Sequence, residues 1–362
     1  MHLYLHIPFC HRICPYCSFY KHTPGGTDLG SFVEALLTEA KFAKQTILLP
    51  FKTIYFGGGT PSMLSPTHLS RLFEGLRKTF DFSEIEEITL EANPATFTAK
   101  TANLYADLGV TRVSLGIQSF HPDHLKTLGR EHSAEQARQS VTALQEAQNL
   151  EVNIDLIFSV PGQTLADWEA TLKEAIAAQP DHISAYNLTY EEDTTFFEQF
   201  KKGTFRDDPD LNAKMFTHGH NLLTSAGYEH YETSNYARPA KRSRHNEGYW
   251  VGNDYLGLGP SAVSTIARTR WQNAPDTTTY LKQISAIGHA QHDTEHLDDE
   301  AWRLERIALQ LRTTEGLPKQ FLDPENDLTP LKAQDLIEET ETHLRLIGEG
   351  PLLVDSIAAE LA

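Results

Sequence analysis

Six short runs rich in β-branched and aromatic residues punctuate the first half of the chain, at Leu3–Ile7, Thr53–Phe56, Ile88–Ala92, Arg112–Gly116, Val152–Phe158 and His182–Asn187. Helix-like stretches at 31–48, 66–79, 98–108, 133–148 and 164–177 separate them. Several of these open on a capping residue: Ser65-Pro66, Thr98, and Ser133 with Gln136 completing a capping box. Strand–helix units spaced this way call for a parallel sheet with helices outside. Periodicity alone leaves two architectures open, a doubly wound sheet and an incomplete barrel.

Every unusual loop follows one of the strands. Cys10 comes after the first, Gly57-Gly58-Gly59-Thr60-Pro61 after the second, and Glu91-Ala92-Asn93-Pro94 ends the third. Gln118-Ser119-Phe120 follows the fourth and Val160-Pro161-Gly162-Gln163-Thr164 the fifth. Ligand sites of parallel α/β sheets lie at the carboxyl ends of the strands, so these loops are expected to converge on one pocket.

Past about residue 205 the pattern changes. Residues 208–225 read as a helix and 228–236 as a strand. A basic patch from Arg238 to Arg244 leads into His245-Asn246-Glu247-Gly248-Tyr249-Trp250, and 256–262 form a Gly-rich turn. Helical patterning at 298–312 and 330–347 closes the chain. Single cores rarely exceed roughly 250–300 residues, so 362 residues call for a large unit and a small one. The expected division is 1–230 as the core, 231–290 as a connecting segment, and 291–362 as a small, mainly helical domain.

Lys plus Arg number 31 against 49 Asp plus Glu, a net charge of −18. That excludes a basic nucleic-acid footprint over the whole chain and argues against adhesion to an anionic membrane by charge alone. Residues 293–362 carry 6 basic and 17 acidic side chains, so more than half of the negative charge is C-terminal. Neither a signal peptide nor a spanning apolar segment is apparent. A reducing cytoplasm is the expected location, where free thiols serve as metal ligands or nucleophiles.

The only three cysteines, Cys10, Cys14 and Cys17, fall within eight residues, which is no disulfide framework. Three thiolates on one loop would leave one iron of a [4Fe–4S] cluster open to an outside ligand. Pro8, Phe9, Pro15, Tyr16 and Phe19 would shield such a cluster from water. The competing reading is zinc, completed by His6, His11 or His22.

Cys-x3-Cys-x2-Cys after the first strand, with Tyr16 before the third cysteine, resembles the radical S-adenosylmethionine superfamily. The likeness runs on through Tyr4-x-His6-Ile7-Pro8-Phe9, Gly57-Gly58-Gly59-Thr60-Pro61-Ser62, Glu91-x-Asn93-Pro94, Gly116-x-Gln118-Ser119-Phe120, Gly129-Arg130-x-His132 and Asp155-Leu156-Ile157. These motifs are similar to those of the oxygen-independent coproporphyrinogen III oxidases and the related heme chaperones of the HemW type. The resemblance spans essentially the whole chain and implies a partial (β/α)6 barrel. The oxidase motif continues with a fourth cysteine where this chain has Phe19, and the oxidases carry a longer N-terminal arm. His245-Asn246-x-x-Tyr249-Trp250 resembles the chaperone signature, so the resemblance favours that branch.

The resemblance implies a [4Fe–4S] cluster on Cys10, Cys14 and Cys17, with S-adenosylmethionine bound by Tyr4, Tyr16, Gly58, Gly59, Thr60, Glu91, Gln118, Arg130 and Asp155. It further implies heme as ligand and a heme-accepting protein, membrane-associated or not, as partner. His245 is the expected axial ligand, with Tyr249 and Trp250 against the porphyrin and Arg238, Lys241, Arg242 and Arg244 meeting propionates. The expected activity is heme binding and transfer without oxidase turnover. The alternatives are the oxidase itself, decarboxylating two propionates, and a radical enzyme tailoring nucleic acid, which the acidic charge disfavours.

Overall fold

The computed structural model describes residues 1–47 and 49–362. The six runs become strands β1 (His2–Ile7), β2 (Thr53–Gly58), β3 (Glu87–Ala92), β4 (Arg112–Gln118), β5 (Glu151–Phe158) and β6 (His182–Asn187). Between them lie α1 (Leu29–Ala43), α2 (Pro66–Thr79), α3 (Ala99–Asp107), α4 (Pro122–Thr127), α5 (Ala134–Glu146) and α6 (Leu165–Ala177). The capping box of Ser133 and Gln136 is formed, and Thr164 with Asp167 makes a second. Helix α1 starts and stops earlier than its periodicity indicates, because Asp28 caps it and the backbone turns at Lys44–Thr46. Leu48, the end of that stretch, lies outside the described residues.

Strands β1 to β6 pair in chain order and in parallel, which is the partial barrel and not a doubly wound sheet. Side chains alternate between the two faces of each strand. Leu3, Leu5, Ile54, Phe56, Leu90, Leu115, Ile154 and Ile183 face the helices and are fully buried. Each such burial is worth about 1.5–3 kcal/mol and glues the helices on. The opposite faces point into the barrel and are polar at every second position, from Thr53 and Tyr55 through Glu87, Thr89 and Glu91 to His182, Ser184 and Tyr186. The barrel interior is therefore a lined space and the hydrophobic core lies outside it.

Helices α7 (Thr195–Lys201) and α8 (Pro209–Ser225) follow. The stretch 228–236, expected as one strand, is a hairpin of β7 (Glu229–Glu232) and β8 (Asn235–Ala237) that adds antiparallel to β6. Helix α9 (Arg244–Trp250) leads to β9 (Tyr255–Leu258), which pairs parallel to β1. Strands β10 (Val263–Ile266) and β11 (Thr269–Asn273), helix α10 (Thr277–Ile287) and strand β12 (Gln291–His296) extend that edge. The segment 231–290 thus supplies strands to both edges of one twelve-stranded sheet.

The C-terminal part has its own apolar cluster, centred on Ile307, Leu311, Leu317, Leu344 and Ile357. It holds α11 (Asp299–Gln310), β13 (Leu317–Pro318), α12 (Thr329–Ala333), β14 (Ile337–Glu339), β15 (His343–Leu346) and α13 (Val354–Leu361). Residues 330–347, expected as one helix, instead form a short helix and a β-hairpin within a three-stranded sheet. Asp335 breaks the helix with a φ of 54°. Among the described residues no helix is long and apolar enough to cross a membrane.

Candidate cofactor site

The cysteine loop leaves β1 at Pro8 and is closed at its root by backbone bonds, Cys10 N–H to His22 O at 3.0 Å and His22 N–H to Pro8 O at 2.8 Å. A second anchor comes from the first residue of α10. Thr277 N–H donates to Tyr20 Oη at 2.7 Å, and Thr277 Oγ1 lies 2.8 Å from His22 Nε2. Within the loop Cys17 N–H reaches Cys14 O at 3.2 Å. Thr60 Oγ1 donates to Cys10 Sγ and the Arg130 guanidinium to Cys14 Sγ, each at 3.5 Å. Burial pushes the Cys10 and Cys17 thiols up, against the pull of Thr60 on the first and Lys21 on the second. Such thiols ionise when a metal replaces their protons.

The zinc alternative finds little purchase. His6 is held by Tyr4 Oη at 3.0 Å and Tyr20 O at 2.8 Å, and His22 by Thr277 and Thr23 O. His11 is exposed, and among the described residues no group of three His, Cys, Asp or Glu side chains, the three cysteines included, lies close enough to hold one metal ion. Three half-buried thiols facing a cavity of about 600 Å³ suit a larger, open-sided group.

That cavity lies at the carboxyl ends of the strands, where the loops were expected to meet. Gly59 N–H bonds to Ile7 O and Thr60 N–H to Phe9 O, both at 2.8 Å, so the glycine segment is stitched to the root of the cysteine loop. A Cβ on Gly59 would come within 2.7 Å of Pro8 backbone. Glu91 accepts from Tyr55 Oη at 2.8 Å and Gly58 N–H at 3.1 Å, and burial pushes its carboxyl up to about 7. Asp155 accepts from Ser114 Oγ and Asn153 Nδ2, each at 2.8 Å, and burial raises it too. Two carboxyls of this kind suit hydroxyl or ammonium donors.

Arg130 donates to Gly116 O and Asn93 Oδ1, each at 2.5 Å, leaving its buried Nε without a partner. Gln118 sits on a bulge of β4 at φ 69°, and its buried Oε1 is also unpartnered. Unmatched buried polar atoms cost about 1–3 kcal/mol each. Two of them beside one cavity mark where a polar ligand would complete the bonding. The residues present therefore fit both an iron–sulfur cluster and S-adenosylmethionine.

Of the residues expected here, Cys10, Cys14, Cys17, Tyr16, Gly58, Gly59, Thr60, Glu91, Gln118, Arg130 and Asp155 line this one cavity. Tyr4 does not; it stands deeper in the barrel, stacked on Tyr55 with ring centroids 6.2 Å apart. Tyr55, Ser114 and Tyr186 also line the cavity without having been singled out from the sequence. Their signal was the polar side chain at every second strand position.

His245 is placed elsewhere. It is 1% exposed, with Nδ1 2.6 Å from Thr53 Oγ1 and Nε2 3.1 Å from Tyr249 Oη. Thr53 and His2 begin their strands, so α9 plugs the amino-terminal floor of the barrel, opposite the cysteines. Glu87 holds the helix by accepting from Arg244 N–H and His245 N–H, both at 3.1 Å. Both imidazole nitrogens are engaged, so His245 has no lone pair to offer iron. The basic patch is spent as well: Lys241 pairs with Glu151, Arg242 with Glu315, Arg244 with Glu86, and Arg238 lies over Tyr228. The expected axial ligand and propionate patch are a structural floor, the role that the amino-terminal face of such barrels commonly plays.

Six parallel βα units with three cysteines after the first strand, over a cavity lined by glycine and carboxylate loops, define a radical S-adenosylmethionine protein. Consistently, the Radical SAM superfamily profile matches residues 4–175. Over 315 residues the chain is 35% identical to heme chaperone HemW of Lactococcus lactis, covering 87% of this chain and 82% of that one. It is 34% identical to heme chaperone HemW of Mycobacterium tuberculosis, with coverage of 99% and 94%. Coproporphyrinogen III oxidase (HemN) of Escherichia coli, a radical SAM enzyme, superposes with a TM-score of 0.87 at 25% identity over 99% of this chain and 89% of that one. The chain belongs to the HemW heme-chaperone family.

Proposed function

We propose that the protein is a cytoplasmic heme chaperone. It carries a [4Fe–4S] cluster on Cys10, Cys14 and Cys17 with S-adenosylmethionine beside it, binds heme, and passes it to an acceptor protein. The observation that carries the first part is the convergence of three half-buried thiols and two unpartnered polar atoms on one cavity. The heme part rests on the chaperone names borne by relatives that match nearly end to end. Residues 1–230 form the unit that holds the cofactors, 231–290 together with β12 complete its sheet, and the chain beyond β12 gathers around its own apolar cluster.

The three thiolates would hold three irons and leave the fourth open to the amino and carboxylate groups of S-adenosylmethionine. Bound there, such a cluster would supply reducing chemistry to the sulfonium. This chain's residues do the placing. Arg130 sets Cys14 and offers a donor to a carboxylate, while Glu91 and Asp155 accept from hydroxyl or ammonium hydrogens. The Gly57–Thr60 turn brings backbone close to the ligand.

The test is anaerobic reconstitution followed by addition of S-adenosylmethionine, reductant and coproporphyrinogen III, with heme binding measured in parallel. Heme binding without decarboxylation is expected. Protoporphyrinogen produced catalytically would assign the oxidase activity instead, and absence of heme binding would sink the chaperone reading. Cys14→Ser should remove the visible absorption of the reconstituted cluster, and full retention of iron would refute the ligand assignment.

A further inference from the structure

With the floor of the barrel occupied by α9, a heme needs another seat. Among the described residues Phe19 is the most exposed large apolar side chain, at 69%, and it lies on the rim of the cavity above the cysteines. Leaving a phenyl ring in water forgoes about 1.5–3 kcal/mol of burial. The same cavity is lined by Tyr186, itself 39% exposed, and by the buried Leu188 and Ile157.

The cations of the cavity differ in what they have left to give. Arg130 is committed to Asn93, Gly116 and Cys14, and Lys21 to the Cys17 carbonyl. Arg12 lines the cavity, is exposed, and has no hydrogen-bonded or carboxylate partner among the described residues. In a chain of net charge −18 an uncommitted cation lining the cavity is a local attraction for an anionic ligand.

We infer that Phe19 and Arg12 form the docking edge for heme: the macrocycle face lies on Phe19 and a propionate meets the Arg12 guanidinium. A flat apolar ring with carboxylates at one edge matches an exposed phenyl and an unpaired guanidinium that line one cavity. The inference rests on the heme-binding reading above and places the heme over the cysteine loop at the carboxyl face of the barrel. The residue standing where the oxidases have a fourth cysteine is then a ligand-binding side chain.

The experiment titrates the reconstituted full-length chain with heme and follows the Soret band for wild type, Phe19→Ala, Phe19→Tyr and Arg12→Gln. Phe19→Ala is expected to raise Kd about tenfold or more, and Phe19→Tyr to restore affinity because the ring face is kept. Arg12→Gln is expected to raise Kd and flatten its salt dependence. The four proteins are compared at equal iron content per chain, so that a change in cluster loading is not read as a change in heme affinity. A wild type that binds no heme would fail the chaperone reading itself. A wild type that binds, with Phe19→Ala and Arg12→Gln binding equally well, overturns this inference alone and assigns the rim to a protein acceptor or a second copy. Both side chains are exposed, so folding is not at stake.

Discussion

The Thr53 hydroxyl is 2.6 Å from Nδ1 of His245, and this contact fixes which end of the barrel the His-Asn-x-x-Tyr-Trp segment closes. A chain of donors runs through it in one direction. Asn253 Nδ2 donates to His2 Nε2 at 3.2 Å, His2 Nδ1–H to Thr53 Oγ1 at 2.8 Å, Thr53 O–H to His245 Nδ1, and His245 Nε2–H to Tyr249 Oη at 3.1 Å. Each imidazole in such a chain is neutral, with one nitrogen donating and one accepting.

His245→Ala should therefore lower stability by about 2–4 kcal/mol, through the cavity it leaves and the unpaired Thr53 hydroxyl. The Soret band of heme bound to the folded fraction should not move. Denaturant unfolding and a heme titration of the same variant check both halves. A shifted Soret band at unchanged stability would return His245 to the iron.

Acid should destabilise the protein before its surface carboxylates titrate. Burial holds His2, His6, His132 and His230 down at about 4 and keeps His182 and His245 well below the ordinary histidine value. An unfolded histidine protonates near 6.5, so the unfolded state gains protons first and stability drains as pH falls from about 6.5 to 4. Glu39, Glu91 and Glu232, pushed up to about 7 by burial, work the other way, since their folded forms take protons first. Asp155 and Glu247 are raised as well and His124 and His220 lowered, so eight histidines stand against five carboxyls and the net sign is loss. The thermal midpoint should be lower at pH 5 than at pH 7, and a higher one would show the carboxyls to dominate.

Thr277 ties α10 to the cysteine loop through Tyr20 and His22. Thr277→Val keeps the shape and loses the hydroxyl. A lost hydrogen bond of this kind should speed iron loss to a chelator about two- to tenfold, with thermal stability nearly unchanged. Thr277→Ser should restore retention. Equal chelation rates for all three proteins would show that the loop root alone, Cys10 with His22, holds the cysteines in place.

The strands were legible because their outward faces are apolar, and each β1–β6 boundary lies within two residues of its sequence limits. The cofactor loops were legible because each follows a strand end. What could not be read was which end of the barrel a distant segment would close. His245 and its neighbours look alike whether they face iron or Thr53, and only the partner Thr53, far away in sequence, decides. The interior residues Tyr55, Ser114 and Tyr186 were hidden for another reason: in a parallel sheet both faces are normally buried and apolar, so the polar alternation along these strands was passed over. At 330–347 the apolar residues Leu331, Leu336, Leu344 and Leu346 do not keep the i, i+3, i+4 spacing of one helical face, and a short helix followed by a hairpin is what forms.

Gly59→Ala tests the stitch between β2 and the cysteine loop. Its Cβ would meet Pro8 carbon at 2.7 Å and the Ile7 and Phe9 carbonyl oxygens at 2.8 Å, all backbone and unable to swing aside. Relieving the overlap must part β2 from the loop root, at a cost of about 1–3 kcal/mol. Iron content after reconstitution and S-adenosylmethionine affinity, by equilibrium dialysis, should both fall. Loss of stability with normal iron and normal affinity would separate the strand ends from the site.

Gly252 and Arg306 hold the C-terminal part against the floor helix α9. Gly252 has a φ of 75°, and a Cβ there would fall 1.1 Å from Arg306 Nη1. Arg306 is 2% exposed, lies over the Trp302 ring at 4.2 Å and pairs with Glu305 at 2.7 Å, so its guanidinium has nowhere to go. Gly252→Ala should cost about 2–4 kcal/mol from overlap and left-handed strain together, and open the 297–299 junction to proteolysis while the reconstituted cluster stays intact. Arg306→Ala in the same chain removes the obstruction but not the strain, so the double variant should recover part of the loss. A double variant as unstable as the sum of the two singles would mean that the two sites act independently, and the C-terminal part would then be held by α11 packing and not by this contact.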